Sequence, residues 1–146
     1  MEIILAENHG FCYGVKRAVE MANEAANGAG KSYTLGPIIH NPQVVGRLES
    51  KGVKPIDEVS DIDSGTMIIR SHGVGPAIYE EVENKGLNIV DATCPHVKKA
   101  QQDAKSVIED GMTLVILGEK NHPEVKSINL WANNEGIIIE DEESAQ

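Results

Sequence analysis

The segment Cys94-Pro95-His96-Val97-Lys98-Lys99-Ala100 repeats the skeleton of Cys12-Tyr13-Gly14-Val15-Lys16-Arg17-Ala18, Cys-x-x-Val-Lys-basic-Ala, after 82 positions. The same offset carries Leu35-Gly36 onto Leu117-Gly118 and His40 onto His122. Pro42 and Val44 recur one residue closer, as Pro123 and Val125. A duplication of this length constrains the fold more than any composition does, because each copy must build the same supersecondary unit. A second copy as long as the first would run to about residue 176. The chain ends at Gln146, so the second unit is expected to be truncated.

Within each copy, short apolar runs alternate with segments of helical period. Ile3 to Ala6 reads as a buried strand. Val15, Ala18, Val19, Ala22, Ala25 and Ala26 then recur at helical spacing, stopped by Asn27-Gly28. Tyr33 to Leu35 is a strand, and His40-Asn41-Pro42 reads as loop, N-cap and first helical position. Strands at Val53 to Ile56, Met67 to Arg70 and Leu87 to Val90 follow, with a helix from Pro76 between the last two. Cys94 opens the next helix, Thr113 to Leu117 is a strand, His122-Pro123 opens another helix, and Gly136 to Ile139 is the last strand. Glu140 to Gln146 is an acidic, solvated tail. Strand–helix alternation of this kind predicts an α/β fold of repeated parallel-sheet units. The expected divisions are a leading strand and first cysteine loop at 1–12, a first α/β unit at 13–94 and a truncated second unit at 95–146.

In parallel sheets, ligands bind beyond the carboxyl ends of the strands. Cys12, His40, His72, Cys94 and His122 all fall at strand-to-helix junctions. A cysteine at a helix N-terminus has its thiolate favoured by the dipole and by nearby cations, here Lys16 and Arg17 or Lys98 and Lys99. Thiolates suit soft metals and iron–sulfur clusters, but a buried helix-start cysteine is the plainer reading of either one taken alone. Histidines beside helix N-termini suit phosphate or diphosphate, although for a single one a loop residue bonded to backbone is the plainer reading, and three at equivalent junctions favour the site. Glu124 is either a helix-start carboxylate favoured by the dipole or a proton donor beside that pocket. His9 and His96 do not share the strand-end pattern and read as structural.

A net charge of −10 argues against nucleic acid as a partner. The start, Met1-Glu2, lacks the pattern of a secretory signal, and no apolar run is long enough to span a membrane, so a cytoplasmic protein is expected. Two cysteines do not make a disulfide framework.

Five stretches resemble, in order and spacing, the amino-terminal half of the LytB-type 4-hydroxy-3-methylbut-2-enyl diphosphate reductases. They are Gly10-Phe11-Cys12-Tyr13-Gly14-Val15-Lys16-Arg17-Ala18, Leu35-Gly36-Pro37-Ile38-Ile39-His40-Asn41-Pro42, Arg70-Ser71-His72-Gly73-Val74, Asp91-Ala92-Thr93-Cys94-Pro95 and His122-Pro123-Glu124-Val125. The resemblance implies a trefoil of three α/β units, of which this chain holds one and part of a second. It implies a [4Fe–4S] cluster with Cys12 and Cys94 as two of three cysteine ligands, the third absent from this chain. It implies that His40, His72 and His122 hold the substrate diphosphate and that Glu124 supplies protons through the substrate hydroxyl. The implied reaction is reductive dehydroxylation of an allylic diphosphate to isopentenyl and dimethylallyl diphosphates, with ferredoxin or flavodoxin as electron donor. It further implies that Met1 to Phe11 gives a strand to the missing third unit. Ser127 stands where many members carry glycine. On this reading the isolated chain is expected to be inactive and to self-associate through open apolar edges. The alternative is a non-catalytic module that binds phosphate or a metal such as zinc.

Overall fold

The computed structural model describes residues 2–7, 9–28 and 30–145. Its first sheet has four parallel strands in the order β2-β1-β3-β4: β1 is Ser32–Leu35, β2 Val53–Ile56, β3 Thr66–Ile69 and β4 Asn88–Asp91. Helix α1 (Tyr13–Ala26) precedes β1, α2 (Pro42–Ser50) joins β1 to β2, and α3 (Pro76–Asn84) joins β3 to β4. A short 3-10 turn, Val59–Asp61, interrupts the connection from β2 to β3. Helix α4 (Pro95–Glu109), strand β5 (Val115–Leu117), helix α5 (Pro123–Trp131) and strand β6 (Ile137–Ile139) follow, and β5 and β6 pair in parallel as a separate sheet.

Strand β3 shows why the first sheet is three layers thick. Met67, Ile68 and Ile69 are each 0 % exposed, as expected of a strand covered on both faces. Period-two alternation sends Ile68 to one face, with Ala18 and Ala22 of α1 and Val44 and Leu48 of α2. It sends Met67 and Ile69 to the other, with Val59, Val82 and Leu87. Each such side chain contributes about 1.5–3 kcal/mol by leaving water. The pairing is flush: Leu35 lies beside Ile56, and Ile69 beside Asp91. The strands therefore end together, and the junctions that follow them share one sheet edge.

Four of the five helices begin with proline at the first position, after N-caps Asn41, Gly75, Cys94 and His122. Proline there loses no hydrogen bond and has its φ already set. Asn41 caps as expected, its Oδ1 accepting from the Val44 N–H at 3.0 Å.

The leading segment departs from expectation. Ile3 to Ala6 forms no strand, and Ile4 is 83 % exposed. The run has the composition of a buried strand, but among the described residues it pairs with no sheet edge, so its apolar side chains face water. The β5–β6 sheet is likewise open, with Leu117 78 % exposed.

Candidate functional site: a histidine cluster beside two helix-start cysteines

The junction loops are wired to one another through backbone. Both the N–H and the Oγ of Ser71 donate to the Ile38 carbonyl at 3.2 Å, tying the β3 exit to the β1 exit. The Cys94 N–H donates to the Ser71 carbonyl at 2.9 Å, tying the β4 exit to the same loop. Arg17 of α1 closes the set, its Nη1 donating to the Thr93 carbonyl at 3.1 Å.

The Ser71–Ile38 link brings His40 and His72 together, and Trp131 Nε1 of α5, donating to the Val74 carbonyl at 2.9 Å, holds the helix of His122 against the same loop. The ring centroids of His40 and His72 are 4.4 Å apart, those of His40 and His122 5.7 Å, and those of His72 and His122 5.8 Å. His122 is the N-cap of α5, and its Nδ1 accepts from the Glu124 N–H at 3.2 Å. The neutral His122 ring therefore carries its proton on Nε2 and presents that edge as a donor. Glu124 lies in the same helical turn, half-buried, which places a carboxyl beside the cluster.

His72 Nδ1 is buried and has no hydrogen-bond partner in the structure. Burial, followed by the neighbouring His40, Arg70 and His122, lowers the His72 pKa from 6.5 to about 4. The sign of the stability effect follows directly. Between those pH values the unfolded chain binds more protons than the folded one, so this contribution is full above 6.5 and is lost as pH falls through 4. His72 is only half-buried, so the loss is about 1–2 kcal/mol rather than the full linkage value. Urea unfolding should show wild type losing more stability than His72→Gln between pH 7 and pH 4; parallel profiles would refute the assignment.

Cys12 and Cys94 are the N-caps of α1 and α4, and both are free thiols. A Cβ added to Gly14 would lie 2.5 Å from Cys94 Sγ, so the sulfur occupies the space a side chain at residue 14 would fill. The chemistry of these sulfurs, thiols at helix N-termini, suits donors to an iron–sulfur centre. Among the described residues no three His, Cys, Asp or Glu side chains converge as a complete metal-ligand set.

Lys98 and Lys99, read from sequence as partners of the Cys94 thiolate, are engaged elsewhere. Lys98 pairs with Asp91 at 2.5 Å, and Lys99 with Asp103 at 2.5 Å. The Asp91 carboxylate also accepts from Tyr79 Oη at 3.1 Å and from the Thr93 N–H at 3.0 Å. Burial raises the Asp91 pKa, but hydrogen bonds from Lys98 and Thr93 outweigh it and hold the carboxyl below its ordinary value. His9 bonds through Nδ1 to the Ala6 carbonyl at 2.8 Å, and His96 is exposed, so neither joins the cluster.

Residues 3–146 match the LytB family profile, described as "LytB protein". The chain belongs to the LytB family. This LytB chain is 52 % identical over 139 residues to a 4-hydroxy-3-methylbut-2-enyl diphosphate reductase of Geotalea uraniireducens, covering 95 % of this chain and 49 % of that protein. It is 52 % identical over 145 residues to the reductase of the same name in Geobacter metallireducens, covering 99 % of this chain and 51 % of that protein. Among solved structures, it superposes on an (E)-4-hydroxy-3-methyl-but-2-enyl diphosphate reductase, the terminal enzyme of the non-mevalonate pathway. The TM-score there is 0.83 at 46 % identity, over 97 % of this chain and 52 % of that one. It superposes on the Plasmodium falciparum E-1-hydroxy-2-methyl-but-2-enyl-4-diphosphate reductase with a TM-score of 0.90 at 31 % identity, over 94 % of this chain and 44 % of that one. The LytB chain thus spans about half the length of the curated relatives it matches.

Ser127, marked in the sequence only as a departure from glycine, and Gln101, not marked at all, join the histidine loop to α5. Ser127 is 2 % exposed; its Oγ lies 2.7 Å from the His72 carbonyl and 2.9 Å from the Glu124 carbonyl, and it accepts from Gln101 Nε2 at 3.2 Å. Ser127 and Gln101 therefore clamp the His72 loop to the turn of α5 that bears His122 and Glu124. A Ser in the second turn of a helix gives no sequence cue to such a role. The helical period would show only that Ser127 lies on the same face of α5 as Pro123 and Glu124.

Proposed function

We propose that this chain supplies the histidine cluster, the acidic residue and two of the cysteine ligands of a 4-hydroxy-3-methylbut-2-enyl diphosphate reductase. The observation that carries this reading is the convergence of His40, His72 and His122 from three different strand exits, with ring centroids 4.4–5.8 Å apart, in a chain of the LytB family. Cys12 and Cys94 would hold a [4Fe–4S] cluster, with a third ligand from outside these 146 residues. When bound, such a cluster supplies electrons and a Lewis-acid iron. The chain's own residues do the rest. The histidines donate ring N–H bonds to the diphosphate and fix the allylic end. Glu124 holds a proton at its carboxyl for the departing hydroxyl, which leaves as water. The balanced change is two electrons and two protons in, one C–O bond replaced by C–H, and one water out. An external small redox protein such as ferredoxin or flavodoxin is the electron source on this reading, and the cytoplasm the setting. The unit boundaries at 13–94 and 95–146 belong to the same proposal.

A chimera tests it. Residues 3–146 replace the aligned stretch of the Geotalea uraniireducens relative, and the product is reconstituted anaerobically with iron and sulfide. It should turn over the hydroxylated allylic diphosphate, and His72→Ala or His122→Ala should cost about 10²-fold in kcat/KM. A folded, iron-loaded but inactive chimera would sink the reading, and tightly held zinc stable in air would favour the metal-binding module instead. The 146-residue chain alone, with two thiolates, should be inactive. Its exposed Ile4 and Leu117 surfaces should make it self-associate, and a monodisperse monomer in light scattering would count against that.

A further inference from the structure

The histidine cluster cannot account for the charge its proposed ligand requires. A diphosphate brings two to three negative charges at neutral pH into a chain whose net charge is already −10. Burial first, and then the neighbouring His40, Arg70 and His122, disfavour the charged form of His72, and the Nδ1 lone pair of His122 is taken up by the Glu124 N–H. Neutral rings donate one N–H each and bring no net charge.

One side chain beside the cluster supplies what is missing. Arg70 follows β3 directly and opens the turn that carries His72, its carbonyl accepting from the Gly73 N–H at 3.0 Å, and its charge is near enough to lower the His72 pKa. Its guanidinium makes no ion pair or hydrogen bond among the described residues, and Nε is buried without a partner. Gly36, at the exit of β1 and leading into the His40 loop, accommodates it: a Cβ there would lie 3.0 Å from Arg70 Nη1. A half-buried guanidinium without a carboxylate is costly unless something anionic approaches it. Glu124, the acidic residue of the proposed site, makes no ion pair with Arg70 among the described residues.

We propose that Arg70 is an anion-binding residue of this site, its guanidinium providing the permanent positive charge against which the diphosphate is held while the three histidines orient it. This rests on the diphosphate reading of the histidine cluster. The guanidinium keeps its charge across the physiological range, whereas imidazole does not, so the site holds its ligand above the range in which histidines are protonated.

Isothermal titration of the 146-residue chain with inorganic pyrophosphate at pH 8 tests the assignment. Arg70→Gln should weaken binding by about tenfold or more, and Arg70→Lys by clearly less, because charge survives in the second and not in the first. Binding by folded Arg70→Gln within twofold of wild type overturns the proposal, as does an equal loss in both variants, which would mark Arg70 as a packing residue. Should Arg70→Gln fail to fold, the wild type itself decides: the Arg70 Nε–H resonance should shift on saturation with pyrophosphate while that of exposed Arg47 stays put. An unmoved Arg70 resonance overturns the proposal. Failure of the wild-type chain to bind pyrophosphate at all overturns the diphosphate reading first and this inference with it, an outcome distinct from binding that ignores Arg70.

Discussion

Alanine at Gly73 should lower the melting temperature of this chain by roughly 5–15 °C, through a loss of about 2–5 kcal/mol. Gly73 has φ +71°, in the left-handed region, where a Cβ meets the following carbonyl. The space around it is also closed. A Cβ there would collide with Gln101 Nε2 and lie 3.1 Å from Thr93 Cγ2. Gln101 cannot retreat, because it is 2 % exposed and its Nε2 donates to Ser127 Oγ at 3.2 Å. Displacing it would leave buried polar atoms unpaired and release the clamp that holds the His72 loop against α5. The damage would therefore reach the site as well as the core, and pyrophosphate affinity should fall with stability. Gly46 provides the matched control. It lies inside α2 with open space where its Cβ would go, so Gly46→Ala should leave stability unchanged or raise it by about 0.5–1 kcal/mol. Thermal unfolding followed by circular dichroism measures both variants, and a Gly73→Ala midpoint within about 2 °C of wild type would remove this account of the loop.

Gly73 also marks the boundary of what the sequence made readable. The alternation of apolar runs with helical periods placed every strand of the first sheet, because local patterning and buried position agree there: Met67, Ile68 and Ile69 form an apolar run since both faces are covered. The Pro-started helices were equally plain, because proline at the first position leaves a local chemical mark. The gathering of His40 and His72 followed from one rule, that strand exits of a parallel sheet share an edge, whereas His122 comes from the separate β5–β6 sheet and is joined to them through Ser127, whose Oγ lies 2.7 Å from the His72 carbonyl. What could not be read depends on side-chain reach. Lys98 and Lys99 follow Cys94 in sequence, but carboxylates of Asp91 and Asp103 lie nearer to their ammonium groups, and an ion pair forms with the closest opposite charge. The Ser127–Gln101 clamp joins residues 26 positions apart through one hydroxyl, and no local pattern encodes it. Ile3 to Ala6 has the pattern of a buried strand and forms none, for a related reason. Composition states that a strand could be buried but says nothing about whether a neighbouring strand exists to pair with it.

Gly14→Ala should have the opposite signature: little change in melting temperature, with a loss of iron retention of about 10–100-fold in the reconstituted chimera. Gly14 lies in the first turn of α1, where alanine is intrinsically the better helix former by roughly 1 kcal/mol. Any harm must come from the space it fills. The new methyl would lie 2.5 Å from Cys94 Sγ and 3.1 Å from Cys94 Cβ, so the sulfur must swing away or α1 must shift from α4. Arg17 resists the second movement, because it ties the same helix to the Thr93 carbonyl at 3.1 Å. The sulfur therefore yields, and a cysteine turned out of its place loses its direction toward a shared metal centre while the hydrophobic core stays intact. Cys94→Ser supplies the reference for complete loss of that donor, and Gly28→Ala, beyond the end of the same helix, supplies the reference for none. Iron and sulfide analysis beside thermal unfolding separates the cases. If Gly14→Ala keeps its iron as wild type does, the contact between α1 and Cys94 is packing alone. If it loses iron while melting at the wild-type temperature, the missing side chain at residue 14 exists to seat a sulfur, and the duplicated Cys-x-x-Val-Lys skeleton differs between its copies for a chemical reason: glycine in the first leaves room for the cysteine of the second.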